Sequence, residues 1–236
     1  MKDVLEGKGL SIKCLDLGEV RLVDCMPRLI PDTENSADFS IAEAARCSYQ
    51  RGTKQISNDV GLIRHLLRSG HTSPFEQIEF KFYIKMPIFI ARQLVRHRTA
   101  NMNELSGRFS ELQDDYYIPS QNDVRIQSKT NKQGSDGILD EKMSSDIITN
   151  IHVNSEECFN LYKEFLRKDV TREQARIVLP LNTYTAMYWK MDLHNLLHFL
   201  SLRCDEHSQK EMREYANAIL KKSSAKNSLL NIPRTS

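Results

Sequence analysis

Residues 96–108 are the chemically richest stretch of the chain, because cations, hydrogen-bond donors and one acidic acceptor follow one another there as Arg-His-Arg-Thr-Ala-Asn-Met-Asn-Glu-Leu-Ser-Gly-Arg. An arginine guanidinium matches the geometry of a phosphate with two parallel hydrogen bonds. The Ser106-Gly107 pair lets backbone N–H groups approach phosphate oxygens, because glycine puts no side chain in the way. The stretch therefore predicts a binding site for an anionic small molecule.

A helix is predicted immediately before this stretch. Residues 87–95 are apolar and open with a proline, which suits the first position of a helix. On such a helix Gln93 and Arg96 lie one turn apart on the same face, so both are predicted to address one ligand. The alternative is that Arg-His-Arg is only a solvated helix end, where cations complement the negative pole of the helix dipole.

The longer sequence pattern favours the binding site. Arg-His-Arg followed by seven residues and then Ser resembles the signature of the flavin-dependent thymidylate synthases, and Asn-Glu-Leu-Ser-Gly-Arg fills its second half as in that family. Three further segments resemble family motifs in the correct order: 71–76, 173–180 and 192–203. The resemblance extends from Ala44 to about Leu220 and implies an enzyme that converts dUMP to dTMP.

The family resemblance also implies a fold and a set of small molecules. The expected fold is α+β, a single domain with a mixed or antiparallel sheet flanked by helices, as in thymidylate synthase complementing proteins. The expected assembly is a homotetramer with active sites shared between subunits. FAD is the implied cofactor, methylenetetrahydrofolate the source of the methylene group, and NADPH the source of electrons. Neither a cysteine nucleophile nor a metal ion is implied.

One set of residues matches family positions that hold dUMP. Their chemistry suits a ribose phosphate anion and a polar base edge. Arg203 is the expected catalytic residue, since it matches the arginine credited with favouring ionisation of the uracil imide. Without the family match, Arg203 would be interpreted as a salt-bridge partner of Asp205 or Glu206. The residues expected to bind dUMP are Gln93, Arg96, Ser106, Gly107, Arg108, Arg176 and Arg203.

A second set matches family positions that contact FAD or shape its pocket. FAD carries a pyrophosphate, so a cluster of cations suits it even without a glycine-rich loop. Some family members have Asn, Arg and Asn where this chain has Asp192, His194 and His198, and an ionised aspartate cannot donate a hydrogen bond. The residues expected to contact FAD are Ser73, Arg96, His97, Arg98, Glu104, Asp192, His194 and His198.

Two residues match family positions near the cofactor but have simple structural alternatives. His71 matches a histidine near the flavin and folate entrance, and its alternative role is to cap the end of the preceding helix. Ser48 matches a serine near the cofactor, and its alternative is an ordinary serine on a helix surface. Ser106 also invites assignment as a nucleophile, but no ordered base and acid accompany it, so a ligand-binding role is preferred.

Two other classes of protein compete with this interpretation. His194 and His198 lie four residues apart with Cys204 and His207 close behind, as in a zinc site, but the glutamate that a zincin needs after His194 is absent. A nucleic-acid module would combine basic and aromatic side chains. The candidates for it are Arg92, Arg96, Arg98, Arg108, Phe82, Tyr83 and Phe109. The formal net charge of +2 argues against that module.

Length and composition predict a single domain that spans residues 1–236. Residues 1–10 lack the apolar run of a signal peptide and no segment reaches the length of a membrane span, so a cytoplasmic protein without a membrane partner is expected. Five cysteines without paired spacing predict reduced thiols. Residues 120–135 are polar and are predicted to form a mobile loop or insertion, and the tail 223–236 is predicted to be frayed.

Further patterns predict the elements that hold the candidate site. Residues 76–86 alternate with period two and predict a strand, while apolar spacing predicts a helix over 57–68 that ends before Gly70. Asp192 is a predicted N-cap, and Thr171 with Gln174 a predicted capping box. Other strands are expected within 11–25, 114–119 and 182–191, and other helices from about Ile41, over 138–166 and over 208–222.

Overall fold

The computed structural model describes residues 11–27, 37–47 and 59–224. Ser48 and the first two residues of the helix predicted over 57–68 therefore lie outside the described residues, as does most of the predicted tail. No helix in the described part is both long enough and apolar enough to cross a membrane.

An antiparallel sheet forms the centre of the fold. Its strands are β1 (Ser11–Cys14), β2 (Gly18–Met26), β3 (Glu79–Pro87), β4 (Asn101–Glu104) and β7 (Tyr184–Asp192). They lie in the order β1-β2-β3-β7-β4, and every neighbouring pair is antiparallel. A second sheet pairs β5 (Arg125–Gln127) with β6 (Ser135–Ile138). The expected α+β class is confirmed.

Helices flank the large sheet. In chain order the described helices are α1 (Ala37–Arg46), α2 (Asp59–Arg68), α3 (Ile88–Leu94), α4 (Glu141–Arg167), α5 (Arg172–Ala175), α6 (Leu193–Arg203) and α7 (Lys210–Ser224). Short 3-10 turns cover Phe75–Gln77, Gln121–Asp123 and Arg176–Val178. Each predicted helix is present, with its ends displaced by a few residues.

The core lies between the large sheet and the helices that cover one of its faces. Phe80, Phe82 and Ile84 of β3 are fully buried, which confirms the period-two pattern predicted for this strand. The Phe82 ring lies 6.2 Å from Trp189 on β7, and Trp189 lies 5.1 Å from Phe199 on α6. This chain of aromatic contacts fixes the position of α6, which carries several of the predicted site residues, against the sheet.

The helix ends around the candidate site follow the local sequence. The Asp192 carboxylate accepts a hydrogen bond from the backbone N–H of Asn195 at 2.9 Å, so the predicted N-cap of α6 is confirmed. Pro87 precedes α3 as its N-cap, with an extended backbone, rather than occupying the first helical position. Gly70 has a φ of +68° just beyond α2, where a left-handed residue ends the helix.

The strand predicted over 114–119 is wrong, since the segment forms only one bridge, between Tyr116 and Thr183. The backbone N–H of Tyr117 donates to the carbonyl oxygen of Asn182 at 2.9 Å. The Asn182 side-chain amide in turn donates to the carbonyl oxygen of Tyr117 at 2.9 Å. The Asn182 side chain thus occupies the Tyr117 carbonyl oxygen, a backbone acceptor that a longer strand pairing would use. Pro119 has no backbone N–H and cannot donate a hydrogen bond to a neighbouring strand.

The predicted capping box at α5 is wrong in detail. Thr171 is the N-cap residue, but its side chain makes no capping hydrogen bond to the backbone. Its hydroxyl instead donates to the side-chain oxygen of Gln174 at 3.4 Å. The two side chains therefore bond to each other and leave the first backbone N–H groups of this short helix to other partners.

The polar stretch 120–135 contains regular structure that its composition did not predict. The 3-10 turn Gln121–Asp123 leads into β5, and the stretch ends at the first residue of β6. Residues 121–138, called here the polar hairpin, bury Val124 and Ser128, which are 8% and 7% exposed. Backbone hydrogen bonds and a few side-chain anchors form this hairpin, since it has almost no apolar residues to bury.

Candidate active site

Helix α3 and the turn after it carry Gln93, Arg96, His97 and Arg98. The turn is closed by two backbone hydrogen bonds, from Arg96 to Gln93 at 3.3 Å and from His97 to Leu94 at 3.1 Å. Arg96 and Arg98 are exposed, whereas His97 is half-buried. Neither of these two arginines forms an ion pair with any other described residue. Their positive charges are therefore available to an anionic ligand.

Arg203, the last residue of α6, lies against His97. Its Nε donates a hydrogen bond to His97 Nε2 over 3.1 Å. The alternative assignment, a salt bridge from Arg203 to Asp205 or Glu206, is wrong, since Asp205 pairs instead with His207 at 3.0 Å. The structure thus joins a residue predicted to hold dUMP to one predicted to contact FAD.

His97 is held in its neutral form. Burial, the Arg203 charge and the charge of His198 together lower the pKa of His97 to about 4 from an ordinary 6.5. The bond from Arg203 requires an unprotonated Nε2, so the ring proton lies on Nδ1 and makes that nitrogen a hydrogen-bond donor. The ring also packs edge-on against Phe199, with centroids 4.9 Å apart. Arg203, His198 and Phe199 therefore hold the His97 ring as one neutral tautomer.

We expect His97 to make the stability of the fold depend on pH. Between pH 6.5 and about 4 the unfolded chain takes up a proton at His97 and the folded chain does not, so stability is lost as the pH falls through this window. The slope is at most about 1.4 kcal/mol per pH unit, reduced by partial solvent exposure. In His97→Gln the slope of unfolding free energy against pH over this window should be smaller, as measured by urea unfolding. An equal slope in both proteins would contradict the lowered pKa.

A residue outside the predicted set contacts Gln93. The Gln93 Nε2 donates a hydrogen bond to Oε1 of Gln209, which directly precedes α7. The two glutamines are 116 positions apart in the chain. No local motif marked Gln209, and only the packing of α7 beside α3 brings it to the site.

The second half of the signature forms a different group. A Cβ added at Gly107 would lie 3.2 Å from Cδ of Arg176, so the absence of a side chain at Gly107 allows Arg176 to approach closely. Arg108 Nε donates to Glu173 at 2.9 Å, and the Ser106 hydroxyl oxygen accepts from the backbone N–H of Arg108 at 3.3 Å. Four residues predicted to hold dUMP therefore lie together, with Glu173 as a neighbour that the motif comparison did not assign.

Glu104 ends the edge strand β4 and is fixed by β7. Its Oε1 accepts a hydrogen bond from the Thr185 hydroxyl at 2.7 Å, and Thr185 is 5% exposed. A cleft of about 540 Å³ lies beside the two strands and is lined by Glu104, Thr185 and Tyr188 among others. The second Glu104 oxygen remains an acceptor for a ligand in this region.

The remaining residues assigned to FAD lie near the start of α6. Both carboxylate oxygens of Asp192 accept from Asn195, at 2.9 and 2.8 Å, so Asp192 serves the helix itself. The backbone N–H of Leu193 donates to the carbonyl of Ile78 at 2.8 Å, which brings α6 next to the segment that carries His71 and Ser73. His194 and His198 follow on α6, half-buried and exposed.

His71 closes the preceding helix with its backbone. Its N–H donates to the carbonyl of Leu66 at 3.0 Å, while the residue itself is exposed, as is Ser73. The main chain of His71 therefore closes the end of α2, and the residue is exposed. Ser73 contributes its carbonyl oxygen to the Gln77 side chain at 3.5 Å.

The structure gives little support to the zinc-site and nucleic-acid interpretations. Among residues 11–27, 37–47 and 59–224, no three His, Cys, Asp or Glu side chains come close enough together to hold a metal ion. The nucleic-acid interpretation needed Phe82 at the surface, but this ring is fully buried in the core. Phe82 therefore cannot stack on a base.

Within one chain six of the seven residues assigned to dUMP fall into two groups, and the seventh, Arg96, is exposed in the turn after α3. The first contains Gln93 and Arg203 with their partners Gln209 and His97. The second contains Ser106, Gly107, Arg108 and Arg176. No hydrogen bond or ion pair joins the two groups in the part of the chain that the structure describes.

The fold and this cluster define an α+β protein with an antiparallel sheet, in which arginine, histidine and glutamine side chains from α3, the turn after it, α6 and the residue before α7 meet. The chain matches the family described as "Thymidylate synthase complementing protein" over residues 28–226. It therefore belongs to that family, which confirms both the resemblance seen in its motifs and the expectation of an enzyme.

Relatives and solved structures agree with this assignment. The "Flavin-dependent thymidylate synthase" of Dictyostelium discoideum is 54% identical over 209 residues, which are 89% of this chain and 68% of that protein. The protein of the same name from Treponema denticola is 47% identical over 210 residues, 89% and 76% of the two chains. The UMP/dUMP methylase PolB from Streptomyces cacaoi, solved with 5-Br dUMP, has a TM-score of 0.78 at 29% identity over 93% and 95% of the two chains.

Proposed function

We propose that this protein is a flavin-dependent thymidylate synthase that converts dUMP to dTMP. The methylene group comes from methylenetetrahydrofolate, and NADPH supplies electrons through FAD. The observation that carries the proposal is the pair formed by Arg203 and His97, since it sets a permanent cation beside a neutral imidazole next to Gln93. The names of the relatives and the nucleotide bound to PolB support the same substrate.

In this proposal the first group of residues binds the pyrimidine. The Arg203 guanidinium stabilises negative charge on the uracil ring, which raises the electron density at the carbon that receives the methylene group. The neutral His97 accepts from Arg203 Nε and leaves the terminal nitrogens of the guanidinium for the ligand. Gln93 offers an amide to the polar edge of the base, and Arg96 extends the site towards the second ligand.

The second group suits the nucleotide phosphate. Arg108 and Arg176 are exposed cations, and Ser106 adds a half-buried hydroxyl beside them, while Gly107 is buried against the Arg176 side chain. Glu173 holds Arg108 at its Nε, which leaves the two terminal nitrogens of that guanidinium to form a bidentate pair with a phosphate. This arrangement matches a phosphate monoester better than it matches a neutral nucleoside.

The residues assigned to FAD fit an anionic cofactor. Arg96 and Arg98 are exposed and form no ion pair with other described residues, so a pyrophosphate would find two uncompensated cations there. His97, His194 and His198 supply ring nitrogens, while Ser73 and Glu104 supply a hydroxyl and a carboxylate oxygen. When bound, FAD supplies reducing equivalents and the transfer of the one-carbon unit, chemistry that no side chain of the chain provides.

The chemistry needs no cysteine nucleophile. Burial and the nearby carboxylates of Glu214 and Glu19 raise the pKa of Cys14 to about 12, so this thiol stays protonated and unreactive. Cys204 is the cysteine next to Arg203 in the sequence, and it offers the direct test. In Cys204→Ser, conversion of dUMP should persist.

No hydrogen bond or ion pair joins the two groups within the described part of one chain, and a shared active site would bring them together on one ligand. If each site takes Gln93 and Arg203 from one subunit and the Ser106 and Arg176 group from another, a monomer cannot complete it. We therefore propose the homotetramer that the family resemblance implies. Light scattering of the purified protein after size-exclusion chromatography should report four times the 27.3 kDa chain mass.

The test of the proposed function is release of tritium from dUMP labelled at the carbon that is methylated. Release should require FAD, NADPH and methylenetetrahydrofolate together, and the purified protein should show flavin absorbance. Omission of any one component provides the control. Tritium release without flavin, or its loss in Cys204→Ser with flavin still bound, would contradict the proposed chemistry.

A further inference from the structure

Three consecutive residues, Gln209 just before α7 and Lys210 and Glu211 in its first turn, contact two other parts of the molecule. Gln209 accepts a hydrogen bond from Gln93 on α3. Lys210 pairs with Asp123 at the beginning of the polar hairpin, and Glu211 pairs with Arg125 on β5. The first turn of α7 is thus the point where the polar hairpin and the substrate-binding helix α3 are connected through side chains.

The contact with Gln209 decides which end of the Gln93 amide is free. A side-chain amide has a donor end and an acceptor end, and Gln209 takes the donor end by accepting from Nε2. The carbonyl Oε1 of Gln93 has no hydrogen bond in the described structure. Gln93 therefore presents an acceptor to a ligand, which suits a donor such as a sugar hydroxyl.

The segment from Arg203 to Gln209 is held at both ends, by a residue of α3 and by a residue of the turn after that helix. Arg203 bonds to His97, and Gln209 bonds to Gln93, so α3 and the turn after it receive two side-chain links from this segment. Arg213 on α7 holds the middle of this segment, because its Nη1 donates a hydrogen bond to the carbonyl oxygen of Glu206 at 2.7 Å. Residues 203–209 thus form a bridge whose two ends hold two residues assigned to dUMP.

Two ion pairs link the polar hairpin to the first turn of α7, directly after this bridge. A cavity of about 920 Å³ is lined by the hairpin residue Gln127 and by Gln209, Lys210 and Glu211. The pairs of Lys210 with Asp123 and of Glu211 with Arg125 join the hairpin to α7 at the edge of this cavity. Glu211 is 4% exposed, so the latter pair is a buried link rather than a surface contact.

We propose that Gln209 is a positioning residue for dUMP binding. It fixes the amide of Gln93 with the carbonyl oxygen towards the nucleotide, and the polar hairpin keeps Gln209 in place through Asp123 and Arg125. This gives the polar stretch 120–135 a role in the site, although none of its residues belongs to the predicted ligand set. The inference rests on the proposed function, since it concerns affinity for dUMP.

The test compares three substitutions of Gln209 in the full-length, FAD-loaded enzyme, with dUMP affinity measured by calorimetry. Gln209→Leu removes the acceptor, and the Kd for dUMP should rise about threefold to tenfold, the value of one ordinary hydrogen bond. Gln209→Glu keeps an acceptor oxygen, so Gln93 keeps its orientation. Gln209→Lys offers only donors, so Gln93 must rotate and present its NH₂ to the ligand.

The order of the two charged variants separates positioning from simple electrostatics. Attraction between charges alone would make the lysine variant bind the anionic dUMP more tightly than the glutamate variant. Positioning predicts the opposite order, with Gln209→Glu binding more tightly than Gln209→Lys. FAD affinity and the melting temperature should be unchanged in both, which excludes a general loss of structure.

A double-variant cycle completes the test. In a Gln93→Leu background, Gln209→Leu should have no further effect on dUMP affinity, because the amide that it orients is gone. Gln133→Leu, at the exposed tip of the polar hairpin, is the matched control and should bind dUMP as the parent does. A lysine variant that binds more tightly than the glutamate variant, or an undiminished effect in the Gln93→Leu background, overturns the inference. A parent enzyme that binds no dUMP overturns the proposed function instead.

Discussion

Arg203→Ala should lower kcat/KM for dUMP at least about 100-fold, equivalent to about 2.7 kcal/mol of transition-state stabilisation. The guanidinium is positioned by its bond to His97 rather than by a carboxylate, so its charge is not neutralised by a protein anion. Steady-state kinetics with saturating folate and NADPH measures the loss.

Two further variants define the cause of this loss. Arg203→Lys retains a positive charge but loses the planar group that bonds to both His97 and a ligand, so we expect it to recover only a small part of the activity. Arg92→Ala removes an exposed arginine from the neighbouring helix α3 and should stay within about twofold of the parent. Full activity in Arg203→Ala would refute the assigned role.

The strands and helices that could be predicted from the sequence are those whose buried apolar residues recur at regular spacing. β3 alternates Phe and Ile with Glu and Lys, and α6 spaces its leucines for one buried face, so both elements were identified. β4 was missed because it is a short, polar edge strand whose residues are all exposed. It pairs only with β7, and nothing in Asn-Met-Asn-Glu indicates a strand without that partner.

For the candidate site, too, the sequence predicted local features and did not predict contacts between residues that are far apart in the chain. The motif around Arg96 and the family resemblance supplied the residue types for an anionic nucleotide. They did not supply the pairs, because His97 and Arg203 are 106 positions apart and Gln93 and Gln209 are 116 apart. Such contacts arise from the packing of α3, α6 and α7 against one sheet. A pattern read along the chain contains no information on which of these side chains meet.

Arg125→Met should strongly destabilise the protein. Arg125 pairs with Glu211, whose side chain is 6% exposed and whose Oε2 is buried without a hydrogen-bond partner in the described structure. Removal of the arginine leaves a buried carboxylate without its cation, which costs about 3–5 kcal/mol. For a chain of 236 residues this lowers the melting temperature by roughly 10 °C. Thermal unfolding followed by circular dichroism provides the measurement.

The double variant Arg125→Met/Glu211→Leu isolates the charge from the packing. It removes the buried carboxylate as well as its partner, so no unpaired charge remains, and much of the lost stability should return. If the double variant melts as low as Arg125→Met, the loss comes from the packing of the arginine side chain in the polar hairpin and not from an unpaired buried carboxylate. Lys163→Met, which breaks the half-exposed pair with Asp114, is the matched surface control and should shift the melting temperature by only a few degrees.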